Sequence, residues 1–372
     1  MGLFSFRKKS DAPAACSAQT AALSVHPFYR LGSFYPLGAK GRISLAVREA
    51  VPIVDAALNK LVRLTDGFSF ETGNDSADRF LEKSLAMINV GGNQQGISQF
   101  ASNYLNQLLT FGTAIGEVVL CENGIYALYN TDLSYVELKR AENGIDVEFY
   151  ASGKRVNNEQ LIFYSVLNPR PDELVGTSIL DGLSFVSDIL MKIYNTIGEN
   201  WEHAGNIRYA VTCKNTGEDG AQAKERAGEI AEAWSDAMSS DSVKDFVAVG
   251  DVNVSVIGAD NKVLDSEIPV RQLLEQIVAK TGLPPFMLGL NWSSTERMSK
   301  QQADILTTEL ESYRRILSPV LKKIADLQLA LNGFNCEAQI VWDDITLQDE
   351  CEQARAELYR AQAEKIRGEE SR

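Results

Sequence analysis

Leu306, Leu310, Tyr313, Leu317, Val320, Ile324, Leu327 and Leu331 follow one another at alternating steps of four and three residues. That spacing puts side chains on one stripe of an α-helix and leaves the opposite face polar. The segment from Ser299 to Leu331 therefore reads as a single amphipathic helix, about 50 Å long at 1.5 Å rise per residue. Pro319 lies inside the stripe. Because proline removes a backbone donor and crowds the preceding turn, a kink is predicted over Tyr313 to Ser318.

The other elements read as a mixture of helix and short strands. Val47, Val51, Val54, Leu58, Leu61 and Val62 give helical spacing between residues 41 and 66, with Pro52 marking a kink or a late start. "FSFE" after Gly67 reads as a strand, and a second helix is expected from Ile97 to Phe111, after the break "GGNQQG". From 112 to 165 the β-branched and aromatic runs "EVVLCENGIYALYN", "SYVELKR", "IDVEFYA" and "QLIFYSV" alternate with turn residues and predict antiparallel hairpins. "NPRPDELVG" is a Pro-marked linker. A helix of about 25 residues is expected from Ser178 to about Glu202 on the stripe Leu180, Leu183, Val186, Leu190, Ile193, Tyr194 and Ile197. Next come a strand "IRYAVTC", a polar turn, an Ala/Glu-rich helix from about 221 to 238, and a hairpin turning at Gly250-Asp251. Val270, Leu273, Leu274, Ile277 and Val278 stripe the following helix. A strand in "CEAQIVWDD" and a charged helix from about 347 to 367 close the chain.

Composition excludes several functions. The 372 residues suffice for two or three domains, but a formal charge of −14 argues against tight binding of nucleic acid, which needs clustered Lys and Arg. The five cysteines, Cys16, Cys121, Cys213, Cys336 and Cys351, show no metal-type spacing and cannot all pair in one chain, so a reducing compartment is expected. No apolar run is long enough for a membrane span, and residues 1–40 read as a flexible basic arm. The chain contains no GxGxxG, P-loop, GxSxG or HExxH. Only His26 and His203 are available to serve a Ser-His or Cys-His mechanism, and both read as solvated side chains. The acidic group Asp343, Asp344, Asp349 and Glu350 does not follow an EF-hand; carboxylates there complement a helix N-terminus. No cofactor and no metal are expected, and the Asn291-Trp292-Ser293 sequon is read as a chance match.

Between the last two long helices lies "TGLPPFMLGLNWSSTERMSKQQ", a longer connection than helices usually need. Trp292 in it either reaches a neighbour or an open space, or folds back on its own helices. The stretch "LLEQIVAKTGLPPFMLGL" followed by "SSTERMSKQQADILTTELESYRRILSPVLKKIADLQLAL" resembles the signature region of tailed-bacteriophage portal proteins: an amphipathic helix, a G-x-P-P-x-x-L-G turn, a Ser/Thr-rich loop and a long Pro-interrupted helix. Upstream, "LVGTSILDGLSFVSDILMKIYNTIGENWEHAGNIRYAV" is similar to the family's helix running into a Gly break and a strand, and the hairpins of 112–165 resemble its wing. The resemblance covers roughly residues 41–345, and its specificity lies in the order of elements.

The resemblance implies an α+β portal-like fold: a flexible arm (1–40), a first wing part (41–177), a first stem helix (178–205), a small α/β clip (206–262), a second stem helix (263–282), a tunnel loop (283–298), the long kinked helix with a wing strand (299–345), and a short crown or tail (346–372). It implies a homo-oligomeric ring of about twelve subunits at one capsid vertex, through which double-stranded DNA passes without sequence-specific binding. Its partners would be the terminase large subunit, which would supply ATP hydrolysis, the major capsid and scaffolding proteins, and a head-tail adaptor. It would stand in the virion, and in the bacterial cytoplasm during assembly. The resemblance places Leu290, Asn291, Trp292, Ser293, Ser294, Thr295, Glu296 and Arg297 toward the DNA. Gly282, Pro284, Pro285 and Gly289 form the turn leading into that loop, and Pro319 is the kink. Lys214, Asn215, Glu218, Asp219, Gly250 and Asp251 face partners from the clip. Another connector component, or a hydrolase using carboxylates near Asp343, are the alternative readings.

Overall fold

The computed structural model describes residues 37–122, 124–141, 146–171, 173–205, 208–213, 228–229, 231–232, 252–257, 266–290 and 296–345. The chain divides into two compact units, one made of residues up to 188 together with those from 272 on, the other of residues 189–271. The arm ahead of residue 37, the terminal segment beyond residue 345 and the turn at Gly250-Asp251 lie outside the described residues.

The larger unit opens with helices α1 (Ala39–Ala50) and α2 (Pro52–Thr65), so Pro52 begins a second helix rather than bending a single one. At the first helical position its missing N–H costs nothing and its fixed φ favours the turn. Strand β1 (Phe68–Glu71) follows, then α3 (Asp75–Ala86), which the sequence reading overlooked. Asn74 caps α3 by accepting the Ser76 N–H at 3.0 Å. The two-residue strands β2 (Asn89–Val90) and β3 (Gln94–Gln95) lead to α4 (Ile97–Phe111).

Six strands and a 3₁₀ turn occupy the hairpin region: β4 (Thr113–Cys121), β5 (Gly124–Asn130), β6 (Val136–Arg140), β7 (Val147–Ala151) and β8 (Lys154–Arg155) precede the turn Glu159–Leu161, and β9 (Ile162–Val166) follows it. They do not make one sheet of hairpins as expected. One sheet has the order β3-β2-β5-β4-β9, with β2 parallel to β5, and a second has the order β6-β7-β8. The parallel pair joins distant segments, which short-range turn signals cannot report. The packed cluster of Ile115, Leu133, Val136, Leu138, Phe149, Val156, Leu161 and Ile162 carries side chains from both sheets.

Two glycines let the segment after β9 cross the end of α4. Gly112, left-handed at φ +74°, ends α4, and a Cβ on Gly176 would sit 2.0 Å from the Gly112 carbonyl oxygen and 2.4 Å from that of Leu167. Only a residue without a side chain allows backbones that close. Ser178 fastens the same crossing, donating to the Leu109 and Thr110 carbonyls at 3.0 and 2.8 Å. Residues 179–182 are consequently turns, and α5 begins at Leu183 and ends at Gly205, later than the periodicity suggested.

In the smaller unit, β10 (Arg208–Cys213) pairs antiparallel with β11 (Val252–Ile257) along all six residues, from Arg208↔Ile257 to Cys213↔Val252. Helix α6 (Glu267–Thr281) leaves this unit, and its last turns belong to the larger one, where Ile277 is fully buried. A 3₁₀ turn (Pro285–Leu288) precedes α7 (Glu296–Leu331), and β12 (Gln339–Trp342) then pairs antiparallel with β1. The β1–β12 pairing ties residue 68 to residue 342.

Helix α7 is one continuous α-helix of 36 residues. Leu306, Leu310, Tyr313, Leu317, Val320 and Ile324 are buried as the stripe requires, but beyond Pro319 the buried face widens to Leu321, Ala325 and Leu329, while Leu331 is exposed. Pro319 faces solvent. On that side a helix tolerates a lost backbone bond best, because water satisfies the freed carbonyl.

Candidate functional site

The segment "TGLPPFMLGL" folds into a compact double turn. Gly282, at φ +70°, donates its N–H to the Val278 carbonyl at 3.0 Å and ends α6, while Leu283 and Pro284 are buried. Pro285 starts the 3₁₀ turn. Gly289 closes it in the left-handed conformation at φ +77°, its N–H reaching the Phe286 carbonyl at 3.2 Å, and the Leu290 N–H reaches that of Pro285 at 3.0 Å. The two prolines pre-set φ and the two glycines supply the positive φ values, so this spacing fixes the direction in which the chain leaves α6. The turn packs near α2. Gly282, Pro284, Pro285 and Gly289 are thus brought together as one structural unit.

Leu290 is half-buried at the end of that turn. Asn291, Trp292, Ser293, Ser294 and Thr295 lie outside the described residues; Glu296 and Arg297 begin the backbone of α7, with side chains outside what is described. Met298 and Ile305, on the first turns of α7, are exposed, Ile305 to 69%. The clip residues Lys214, Asn215, Glu218, Asp219, Gly250 and Asp251 also lie outside the described residues.

What anchors α7 below its exposed start is Arg314, which sequence reasoning missed. Its side chain is buried and donates to three backbone carbonyls: Nε to Thr65 at 3.1 Å, Nη1 to Asp343 at 2.6 Å and Nη2 to Asp66 at 3.1 Å. The guanidinium also lies 4.9 Å from the Trp342 ring. Burial pulls its pKa below the ordinary arginine value, and the carboxylate of Asp343 opposes that shift. The group therefore joins the C-terminal end of α2, the end of β12 and α7. One turn on, Ser318 donates to the Arg314 carbonyl at 2.7 Å and accepts the Trp342 indole N–H at 3.0 Å. Lys323 donates to the Ile162 carbonyl at 3.1 Å, and burial lowers its pKa. A charged residue on an amphipathic helix reads as its solvated face; the only hint was that Arg314 falls beside Tyr313 on the stripe.

A second polar clamp joins α1, α2 and α4. Arg48 donates to Asp55 at 2.5 Å, to Thr110 at 2.9 Å and to Asn106. Among the described residues no three His, Cys, Asp or Glu side chains come together as metal ligands. No described helix is long and apolar enough to cross a membrane. Large apolar side chains are nonetheless exposed on α5 and α6: Phe185 to 71%, Tyr194 to 45% and Trp201 to 73% on α5, and Ile268 to 63% on α6.

No family model matches the sequence, and no curated protein does. Solved structures do. A chain in the virion of the native gene transfer agent particle is 13% identical over 86% of this chain and 89% of that one, with a TM-score of 0.59. A chain in the neck of the native particle, computed with C12 symmetry, is 14% identical over the same shares, with a TM-score of 0.58. A crystal structure of an HK97 family phage portal protein from Corynebacterium diphtheriae is 12% identical over 80% of this chain and 93% of that chain, at a TM-score of 0.42. The chain therefore has the mixed helix-and-sheet fold of a subunit of such a virion neck, and this agrees with the portal resemblance in the sequence.

Proposed function

We propose that the chain is the subunit of a phage-type portal: a homo-oligomeric ring at one capsid vertex through which double-stranded DNA enters and leaves. The observation that carries this reading is the fold likeness over 86% of the chain to a subunit of a particle neck of C12 symmetry. Two physical features support it. The charge of −14 per subunit, multiplied around a ring, gives a channel that repels its cargo and does not hold it. The exposed apolar side chains of α5 and α6 exceed what a lone subunit needs and suit a head-to-tail interface, in which each copy offers two different faces.

Within this reading the glycine-proline turn aims residues 290–297 at the channel, and the insert of 206–262 meets the packaging motor and later the adaptor. Residues 346–372 form the crown. The ring turns over no substrate itself; the terminase hydrolyses ATP, and capsid and scaffolding proteins set the vertex. The experiment is native mass spectrometry of the purified chain with negative-stain imaging. Rings of about twelve copies around a hole are expected; a chain that stays monomeric at every concentration, with and without scaffolding protein, refutes the proposal.

A further inference from the structure

Strand β1 has a partner on one side only: among the described residues its sheet contains β12 and nothing else. Asp343 donates its N–H to the Gly67 carbonyl at 3.0 Å, so in the register Phe68↔Trp342 the hydrogen-bonded pairs are those of Ser69 and Glu71. The N–H and C=O groups of Phe68 and Phe70 therefore point away from β12, along the other edge. The two rings share the half-buried face of the strand: they meet edge-on with centroids 5.6 Å apart, and Phe68 lies 5.2 Å from the Trp342 ring. Ser69 and Glu71 are exposed on the opposite face.

Beside β1 runs a groove of about 610 Å³, bounded by the strand, α3 and the start of α4. Its floor is apolar, from the buried Leu81, Leu85 and Ile97. Its rim is acidic: Asp78 and Glu82 outnumber Arg79, and Glu71 stands at the end of the strand. Asp78 also fixes the mouth, accepting the Thr72 N–H and hydroxyl at 2.7 Å each and so tying the end of β1 to α3. A strand edge with unused main-chain groups, set beside a preformed apolar trough, is the arrangement that takes up an added strand.

We propose that this groove binds an extended segment of a different protein, one in which apolar residues alternate with Lys or Arg. The segment pairs with the main-chain groups of Phe68 and Phe70, and strand alternation sorts its side chains. Those opposite Phe68 and Phe70 turn to the face that carries the aromatic rings, where cross-strand apolar pairs stabilise a sheet. The intervening ones turn to the exposed face of Ser69 and Glu71, where a cation meets the carboxylate. Charge complementarity selects the partner. A second copy of this chain brings a formal charge of −14 to an acidic rim. The chain's basic edge strand β8 is also committed already, because Arg155 is paired with Glu148 at 2.8 Å and with Glu159 at 3.0 Å.

The proposal goes beyond the portal reading and stands whether or not rings form. Its test is residue-resolved amide hydrogen exchange on the full chain, with the acetylated and amidated peptide Lys-Val-Lys-Val-Lys-Val as probe and Glu-Val-Glu-Val-Glu-Val as the charge-reversed control. With the lysine peptide in excess the Phe68 and Phe70 amides are expected to exchange at least about tenfold more slowly, while Ser69, bonded to β12, is unchanged. The glutamate peptide on the wild type, and the lysine peptide on Glu71→Lys/Glu82→Lys, are expected to bind at least about tenfold more weakly. Both substituted side chains are exposed, and protection of Ser69 reports that the variant keeps its fold. Unchanged exchange of Phe68 and Phe70 with the lysine peptide, or equal binding of the two peptides, overturns the proposal. Protection of Phe68 and Phe70 in the peptide-free chain overturns it as well, assigning the groove to a second copy where dilution abolishes the protection and to this chain itself where it does not.

Discussion

Arg314→Met removes the guanidinium and keeps the stem that packs in the core. The wild-type group makes three hydrogen bonds to backbone carbonyls at 2.6 to 3.1 Å, each contributing about 1 kcal/mol net or somewhat more because the donor is charged. The contact with Trp342 adds about 1 kcal/mol. Against this, the variant no longer takes a cation out of water, which offsets part of the loss. The expected destabilisation is about 2–3 kcal/mol, a fall of about 5 °C or more in Tm for a unit of this size. The assay is thermal unfolding followed by near-UV circular dichroism. Arg314→Lys retains the charge but reaches fewer of the three carbonyls, and is expected to fall between. If Arg314→Met melts within about 1 °C of wild type, the view that this side chain holds α7 to α2 and β12 is wrong.

Three further outcomes are expected. Gly176→Ala forces a Cβ to within 2.0 Å of the Gly112 oxygen, so the crossing after β9 must open and soluble yield or Tm must drop sharply; a stable variant would mean that the crossing yields easily. Replacing Trp292 and Arg297 with Ala is expected to leave ring assembly intact and impair DNA packaging or retention in a particle assay, whereas loss of rings would put the loop at a subunit interface. Burial pushes the Tyr164 hydroxyl up to about 12, and also raises the pKa of the fully buried Tyr104, so at high pH the unfolded chain loses protons that the fold retains. The contribution of these two tyrosines to stability is therefore level below pH 10 and falls as pH rises from about 10 to 12, which alkaline unfolding measures; Tyr104→Phe should lessen the slope.

Long helices were legible because their buried stripe repeats many times: α4, α5 and α7 all announced themselves by spacing, and turn chemistry exposed the run from Gly282 to Gly289. Helix α3 was not legible, since its 12 residues carry only Ala77, Leu81 and Leu85 as buried positions and its start depends on the Asn74 cap. The partition of the hairpins into two sheets escaped for a different reason. The two-residue strand β2 joins β5 in parallel across more than thirty residues of chain, and no local pattern encodes such a pairing. Arg314 was hidden by its type, because only the tertiary meeting of α2, α7 and β12 turns a surface residue into a buried one. For Trp292 and its neighbours the sequence offered a family likeness and nothing physical beyond length and polarity.

Mechanically, α7 behaves as a cantilever. From Ala303 onward it is gripped by buried side chains, and at Arg314 by three hydrogen bonds, whereas Met298 and Gln301 near its start are exposed. The backbone from Glu296 to Gln302 runs about 10 Å ahead of Ala303, the first buried residue of the helix. A tilt of about 10° at its root moves the tip by about 2 Å, less than the 3.4 Å separating adjacent base pairs. If residues 291–297 touch DNA, the stiffness of this helical start limits how far each subunit's contact can follow the duplex before it must let go.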